Sequence, residues 1–308
     1  MPFLRTFFLV VATAVSAWAQ PAAVWPEEPV PSSSQRVAIL EDRRIDESSG
    51  LCLSGRDASL FWTLNDSGGE PCVFAFDHTG KARAKVRVRD AANFDWEDIA
   101  LGRDEAGAPV LFVADIGDNF HIRLSLQIYQ FPEPEVGAPQ PQVAETESAA
   151  PKLWRFNYPD GRHNAESLLV HPLTGRLYVL TKTSHGSCAL YRFPQPLQEN
   201  VSMVVEKVVT LVFPPVARAG KRPQDNCMTT SAGFSPDGAR LVVSTYNSLY
   251  EWGLPKDMPL EVALERPPLR IEPLLVGQME GVCYDADCKT LWFTSERLPA
   301  PLVKVTRP

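Results

Sequence analysis

Trp96-Glu97-Asp98-Ile99-Ala100-Leu101 decides the fold, because the chain repeats its pattern. A polar stretch leads to a glutamate, a strand of small and apolar residues follows, and a turn ends it. The pattern returns at Asp46-Glu47-Ser48-Ser49-Gly50-Leu51, Ala165-Glu166-Ser167-Leu168-Leu169-Val170, Thr229-Thr230-Ser231-Ala232-Gly233-Phe234 and Met279-Glu280-Gly281-Val282-Cys283-Tyr284. Aligned by eye, the head position reads Glu47, Glu97, Glu166, Thr230, Glu280. Fixed-order repetition of this kind marks a repeat architecture, in which each unit buries its apolar face against its neighbours.

Between the heads the order is constant: a strand, a tight turn, a stronger strand, a polar loop and a third strand. In the first unit these are 51–54, GRDA, 60–64, NDSGGE and 72–77. A fourth strand leads into the next head, at 85–88, 153–158, 204–213 and 269–275. The last unit has three strands, and 37–41 has no unit of its own. The sequence therefore predicts an all-β, five-bladed β-propeller closed by its N-terminal strand, which also covers an open sheet edge. A six-bladed ring, with a degenerate unit in one of the long loops 132–151 or 214–226, is the alternative.

Residues 1–19 read as a secretory signal peptide: Arg5, an apolar run from Phe7 to Val15, then Ala17 and Ala19. Residues 20–34 read as a Pro/Ser-rich, extended linker, and 35–308 as the propeller domain. The expected location is secreted or periplasmic, with no membrane span, as a monomer. Export changes the reading of the six cysteines, because an even count in an oxidising compartment favours disulfides. The simplest pairs are Cys283 with Cys288, Cys52 with Cys72 and Cys188 with Cys227. The net charge of −7 and the lack of a basic run exclude a nucleic-acid surface. Twenty-eight prolines exclude long helices.

In a propeller the first strand of each blade lines the channel, so the loops split between two faces. The bottom turns, such as SPDGAR and HPLTGR, are ordinary turn chemistry. The top loops gather Asp46, Asn65, Asp66, Asp95, Asp98, Asp115, Asp118, Asn119, His163, Asn164, Lys182, His185, Arg222, Asp225, Asn247, Glu296 and Arg297. Four glutamates around one narrow axis repel one another unless they are protonated, paired or bound to a cation. The inner segments carry no Lys or Arg. Oxygen-only ligands favour a hard cation, and Ca²⁺ suits a loose cage better than Mg²⁺. The expected metal ligands are Glu47, Glu97, Glu166, Thr230 and Glu280, with Ser48, Ser167 and Ser231 orienting them. The alternative is a watered channel in which inner-strand amides satisfy each Glu.

The motifs WTLNDSGG, DWEDIA, FVADIGDN, IYQFPEP, YPDGRHNAESLLVHPLTG and LYVLTKT resemble those of a widespread family of secreted bacterial β-propellers. That resemblance covers about 47–193 and implies the fold and export, without a particular chemistry. The strand-head ring is similar, over five short segments, to that of the five-bladed calcium-activated nucleotidases, the apyrases. This second resemblance implies axial Ca²⁺ at Glu97, Glu166 and Glu280, with Thr230 and Ser231 where that family has serines. The phosphate-side cations of such an enzyme are matched only by position, at Lys182, Arg222 and Arg297.

Two functions follow. One is a binding protein whose top face takes a small molecule, a glycan or an envelope protein, with Trp96, Phe120 and Tyr246 for stacking. The other is a Ca²⁺-dependent hydrolase of phosphate esters, anhydrides or lactones. There Asp66, Asp115 or Asp118 would be the general base, and Lys182 or Arg297 would steady negative charge. Acids outnumber bases on this face, which places binding first. A Ser-His-Asp site is disfavoured, since no GxSxG elbow exists and the histidines show no triad spacing.

Overall fold

The apolar alternation and turn signals resolve into twenty-two short strands in a computed structural model, which describes residues 28–307. The expected signal peptide and most of the expected linker lie outside the described residues. The strands form five sheets in a ring, a five-bladed β-propeller, so the six-bladed alternative falls away.

The first blade is β2 (Ser48–Leu53), β3 (Leu60–Asn65), β4 (Cys72–Asp77) and β5 (Ala82–Arg87), and the last is closed by β1 (Ser33–Ile39). The second blade holds β6 (Trp96–Arg103), β7 (Pro109–Asp115), β8 (Leu126–Pro132) and β10 (Lys152–Asn157). Between the last two runs β9 (Ala144–Glu147), which lies parallel beside β5 as a fifth strand of the first blade. The third blade is β11 (Ala165–Val170), β12 (Leu177–Thr181), β13 (Ser187–Arg192) and β15 (Glu206–Val212). The short β14 (Ser202–Val204) precedes β15 and pairs parallel with β10. The fourth blade is β16 (Thr229–Phe234), β17 (Arg240–Thr245), β18 (Leu249–Gly253) and β19 (Leu269–Ile271). The fifth is β20 (Met279–Tyr284), β21 (Leu291–Ser295), β22 (Pro301–Thr306) and β1.

Closure works as the sequence predicts. β1 runs antiparallel to β22, from Ser33 opposite Thr306 to Ile39 opposite Pro301. The expected linker ends earlier than position 34, since β1 starts at Ser33 and the Val30 amide donates to the Arg270 carbonyl. Cores form between neighbouring blades. One packs Trp62, Val73 and Val86 of the first blade against Leu111, Val113 and Phe131 of the second. Buried aromatics dominate these seams, and each contributes about 1.5–3 kcal/mol through its removal from water.

Blades are also stitched by polar groups. Glu133, buried after β8, accepts from Ser54 Oγ at 2.5 Å, the Gly55 amide at 3.1 Å and Trp62 Nε1 at 2.8 Å. Glu133→Gln keeps the shape but turns an amide NH₂ toward donors. It should cost about 1–3 kcal/mol of unfolding free energy in a urea titration.

The expected disulfides do not form, and all six cysteines are free. Cys52 on β2 and Cys72 on β4 are separated by β3, about 9–10 Å of sheet, which exceeds the reach of a disulfide. Cys283 is buried on β20, whereas Cys288 sits in the following turn with a positive φ of 59°. Cys188 Sγ instead accepts from Thr229 Oγ1 at 3.7 Å and lies 4.0 Å from the Cys227 carbonyl.

Candidate metal centre

Each first hairpin carries a break in register at the head of its inner strand. The breaks fall between Ser48 and Leu51, Trp96 and Asp98, Ala165 and Ser167, Thr229 and Ser231, and Met279 and Val282. A bulge re-aims the extra residue, here Glu97, Glu166, Thr230 and Glu280. The residues before the bulges set the true alignment: Ser48, Trp96, Ala165, Thr229 and Met279 each pair with the end of the second strand. By that register the first blade contributes Ser49, and Glu47 stands two residues ahead, exposed. The ring is therefore Ser49, Glu97, Glu166, Thr230 and Glu280. Ser49 Oγ donates to the Glu97 carbonyl at 2.5 Å.

One step down the channel the residues are Gly50, Asp98, Ser167, Ser231 and Gly281. Asp98, expected in a top loop, fills this layer from inside β6. Its Oδ1 accepts from the Ile99 amide and its Oδ2 from the Leu168 amide, both at 2.9 Å, and Ser231 Oγ lies 3.3 Å from each oxygen. A Cβ at Gly50 would stand 2.5 Å from Asp98 Oδ1, so this glycine makes the room Asp98 occupies. Ser231 is the one expected orienting serine that holds a carboxylate, and the carboxylate is Asp98. Ser48 Oγ bonds Thr63 and Thr294 instead, and Ser167 Oγ has no partner. Below Asp98 the channel turns apolar and widens into a cavity of about 410 Å³ lined by Leu51, Ile99, Leu168, Ala232 and Val282 among others.

Above Asp98 the acids converge. Ligand oxygens of Asp66, Asp95 and Glu97 all lie within 4.8 Å of one another. Asp66 comes from the loop after β3, and Asp95 from the turn entering β6. Gly117, after β7, closes this pocket: a Cβ there would meet Asp95 Oδ2 and Glu97 Oε1 at 2.3 Å. Glu280 is 1% exposed, and neither of its carboxylate oxygens has a hydrogen-bond partner within the protein.

One base enters the ring. Lys182, just past β12, places Nζ 2.7 Å from Glu166 Oε1 and 2.7 Å from the Tyr246 hydroxyl. The heads of the inner strands carry no base, as the sequence indicates, but the end of the second strand of the third blade delivers one. Burial works against the Lys182 charge, yet Glu166, Glu280, Tyr246 and Glu97 outweigh it and push its pKa up. Burial pushes Glu97 and Glu280 well above the carboxylate range, with neighbouring acids adding to it and Lys182 opposing. Burial also raises Glu166 and Asp66, less the pull of Lys182. Asp95 is raised from 3.8 to about 6 by burial, with Asp66 adding.

The other expected site residues are already engaged or stand apart from the acids. Thr230 Oγ1 is occupied by Ser244 Oγ at 2.9 Å and the Glu280 carbonyl at 3.3 Å. Asp115 is buried against Arg123 at 2.7 Å and accepts from Gln127. Asp118 accepts from the Ile122 and Arg123 amides, which folds its own loop. Neither is free to act as a general base. Arg297 is exposed, its amide donating to the Asp46 carbonyl. Arg222 pairs with Asp225 at 2.8 Å. Trp96 is buried, its Nε1 donating to the Ala92 carbonyl, and so cannot stack on a ligand. His163 pairs with Asp160 at 3.0 Å.

No family model matches the chain, and no curated protein matches it. Among solved structures it is similar to the β-propeller domain of Myceliophteria thermophila Cps50 (Swd1): 14% identity over 81% of this chain, with a TM-score of 0.38. This chain spans 62% of the length of that one. It is also similar to XC5397 of Xanthomonas campestris, described as a gluconolactonase: 13% identity over 91% of this chain and 88% of that one, with a TM-score of 0.45.

The raised acids give the cation-free protein a pH signature. Asp95 binds its proton more tightly folded than unfolded, so its penalty is absent below about pH 4 and complete above about pH 6. Glu97, Glu166 and Glu280 shift in the same direction. Chelator-treated protein should therefore melt higher, by about 2 °C or more, at about pH 5 than at about pH 7.5. Differential scanning calorimetry at the two pH values checks this.

Proposed function

We propose that the protein is an exported binding propeller whose top face is organised by one hard divalent cation, Ca²⁺. Asp66, Asp95 and Glu97 would hold it, with Glu280 facing them across the mouth. The observations that carry this reading are the three-carboxylate cluster and a buried Glu280, within the electrostatic reach of Asp66, whose oxygens no protein group satisfies. Buried carboxylates are stable when paired or metal-bound, and Lys182 is already committed to Glu166. An all-oxygen cage of loop and strand-head ligands suits Ca²⁺, which accepts irregular geometry.

A Ca²⁺-dependent hydrolase of phosphate esters, anhydrides or lactones is the second reading. Asp95 favours it, as a half-buried carboxyl with a pKa near 6 at the rim. When bound, the cation would polarise a substrate oxygen. Binding stands first because acids outnumber bases around the mouth, and Lys182 is spent on Glu166.

Equilibrium dialysis against Ca²⁺, followed by a panel of nucleotides, aryl phosphates and lactones with and without Ca²⁺, separates the readings. One bound Ca²⁺ per chain without turnover supports binding. Ca²⁺-dependent turnover lost in Asp95→Asn supports the hydrolase. The absence of bound Ca²⁺ overturns both.

A further inference from the structure

The same mouth carries large apolar side chains that nothing in the fold covers. Phe94, next to Asp95, is 65% exposed, and Phe120 is 83% exposed. Phe120 follows Asn119, whose Oδ1 accepts from Asn164 Nδ2, and that amide also reaches Glu166 Oε1 at 3.3 Å. Phe94 thus adjoins an acid of the cluster, and Phe120 is linked to the ring through Asn119 and Asn164. Loops on a rigid scaffold are where binding residues concentrate, and these two carry exposed aromatic rings.

We infer that the ligand of this face is a neutral saccharide, stacked on Phe94 and Phe120 and joined to the bound cation through its hydroxyls. The inference rests on the cation reading above. Ca²⁺ takes six to eight oxygens, so three or four carboxylates leave positions that vicinal hydroxyls fill. The rings supply rigid apolar area for the C–H face of a sugar, and the exposed Asn119 amide offers both a donor and an acceptor. Charge selects against anions. Asp66, Asp95, Glu97, Glu280 and Glu296 surround the mouth, outnumbering Lys182, which is paired with Glu166, and Arg297, which lies in water beside Glu296. That excess opposes an anionic membrane surface as the partner of the same rings.

The test is calorimetry of the full chain with xylohexaose, cellohexaose, chitohexaose and mannohexaose in excess Ca²⁺, repeated in EDTA and with a Phe94→Ala/Phe120→Ala variant. The expected result is binding of at least one oligosaccharide that vanishes in EDTA and weakens about tenfold or more in the variant, whose Ca²⁺ affinity is unchanged. Ca²⁺ binding with no oligosaccharide bound, or with binding indifferent to both rings, overturns this inference and leaves the cation site standing. Ca²⁺-dependent sedimentation with phosphatidylcholine or phosphatidylglycerol vesicles, without saccharide binding, also overturns it and reassigns the rings to a membrane. The absence of Ca²⁺ binding removes the cation reading and this inference together.

Discussion

Asp98→Leu should lower the unfolding free energy by about 3–5 kcal/mol, one of the largest losses available from a single side chain in this propeller. Asp98 belongs to the second blade, yet its oxygens take the Leu168 amide of the third and Ser231 Oγ of the fourth. Ser231 Oγ in turn lies 3.3 Å from the Val282 amide of the fifth blade, and Gly50 of the first gives Asp98 its space. Asp98 and Ser231 together therefore tie four inner strands by hydrogen bonds, with the fifth packed against them at Gly50. Removing the Asp98 carboxylate strands buried donors on separate blades, and each unsatisfied group costs about 1–3 kcal/mol. Asp98→Asn should cost less, about 1–3 kcal/mol, because one oxygen survives while the amide nitrogen meets a donor. Urea unfolding of the two variants, with far-ultraviolet circular dichroism of the native baseline, checks both the size and the order. Equal, small losses for the two would mean that the axis is held by backbone packing alone.

Ca²⁺ should raise the melting temperature at neutral pH by about 5–10 °C when present at a hundred to a thousand times its dissociation constant. Glu97→Gln or Asp95→Asn should remove most of that shift. The variants should also melt higher than chelator-treated wild type, because each deletes a carboxylate from a crowded, uncompensated cluster. This inversion, in which a variant is more stable than wild type without the ion and less stable with it, separates a cation site from a merely structural acid. Glu47→Gln should leave the shift nearly intact, since Glu47 lies ahead of the ring and in water. Differential scanning fluorimetry with and without EDTA reads all four proteins. A Ca²⁺ shift of equal size in wild type and Glu97→Gln would place the ion elsewhere.

The fold was legible because each blade advertises itself twice: a polar head before a small-residue strand, and a Gly- or Asp-rich turn after it. The closing strand was legible because β1 has no other sheet to join. The strands β9 and β14 were not, since Ala144–Glu147 is polar and exposed throughout and Ser202–Val204 is three residues long. Their pairing is set by the neighbouring edges.

The site was half legible. Glutamates at strand heads signal the ring, but the Asp-Glu pair at 46–47 mimics the polar lead of the other blades and so matches Glu47 to Glu97. The bulge register puts Ser49 there instead, and the signal for it is Gly50, which matches Gly281 on the adjoining fifth blade. Asp98 reads as a loop acid because an aspartate inside an apolar strand is costly unless donors meet it, and apart from the Ile99 amide those donors come from other blades. Lys182 was visible as a residue but not as a partner, since only closure of the ring brings it onto Glu166.

An anomalous difference map from crystals grown in CaCl₂ tests the central claim most directly. The account predicts one peak between the carboxylates of Asp66, Asp95 and Glu97, on the Glu280 side of the channel mouth. A well-ordered mouth with no peak there, or a peak only at another site, would contradict it.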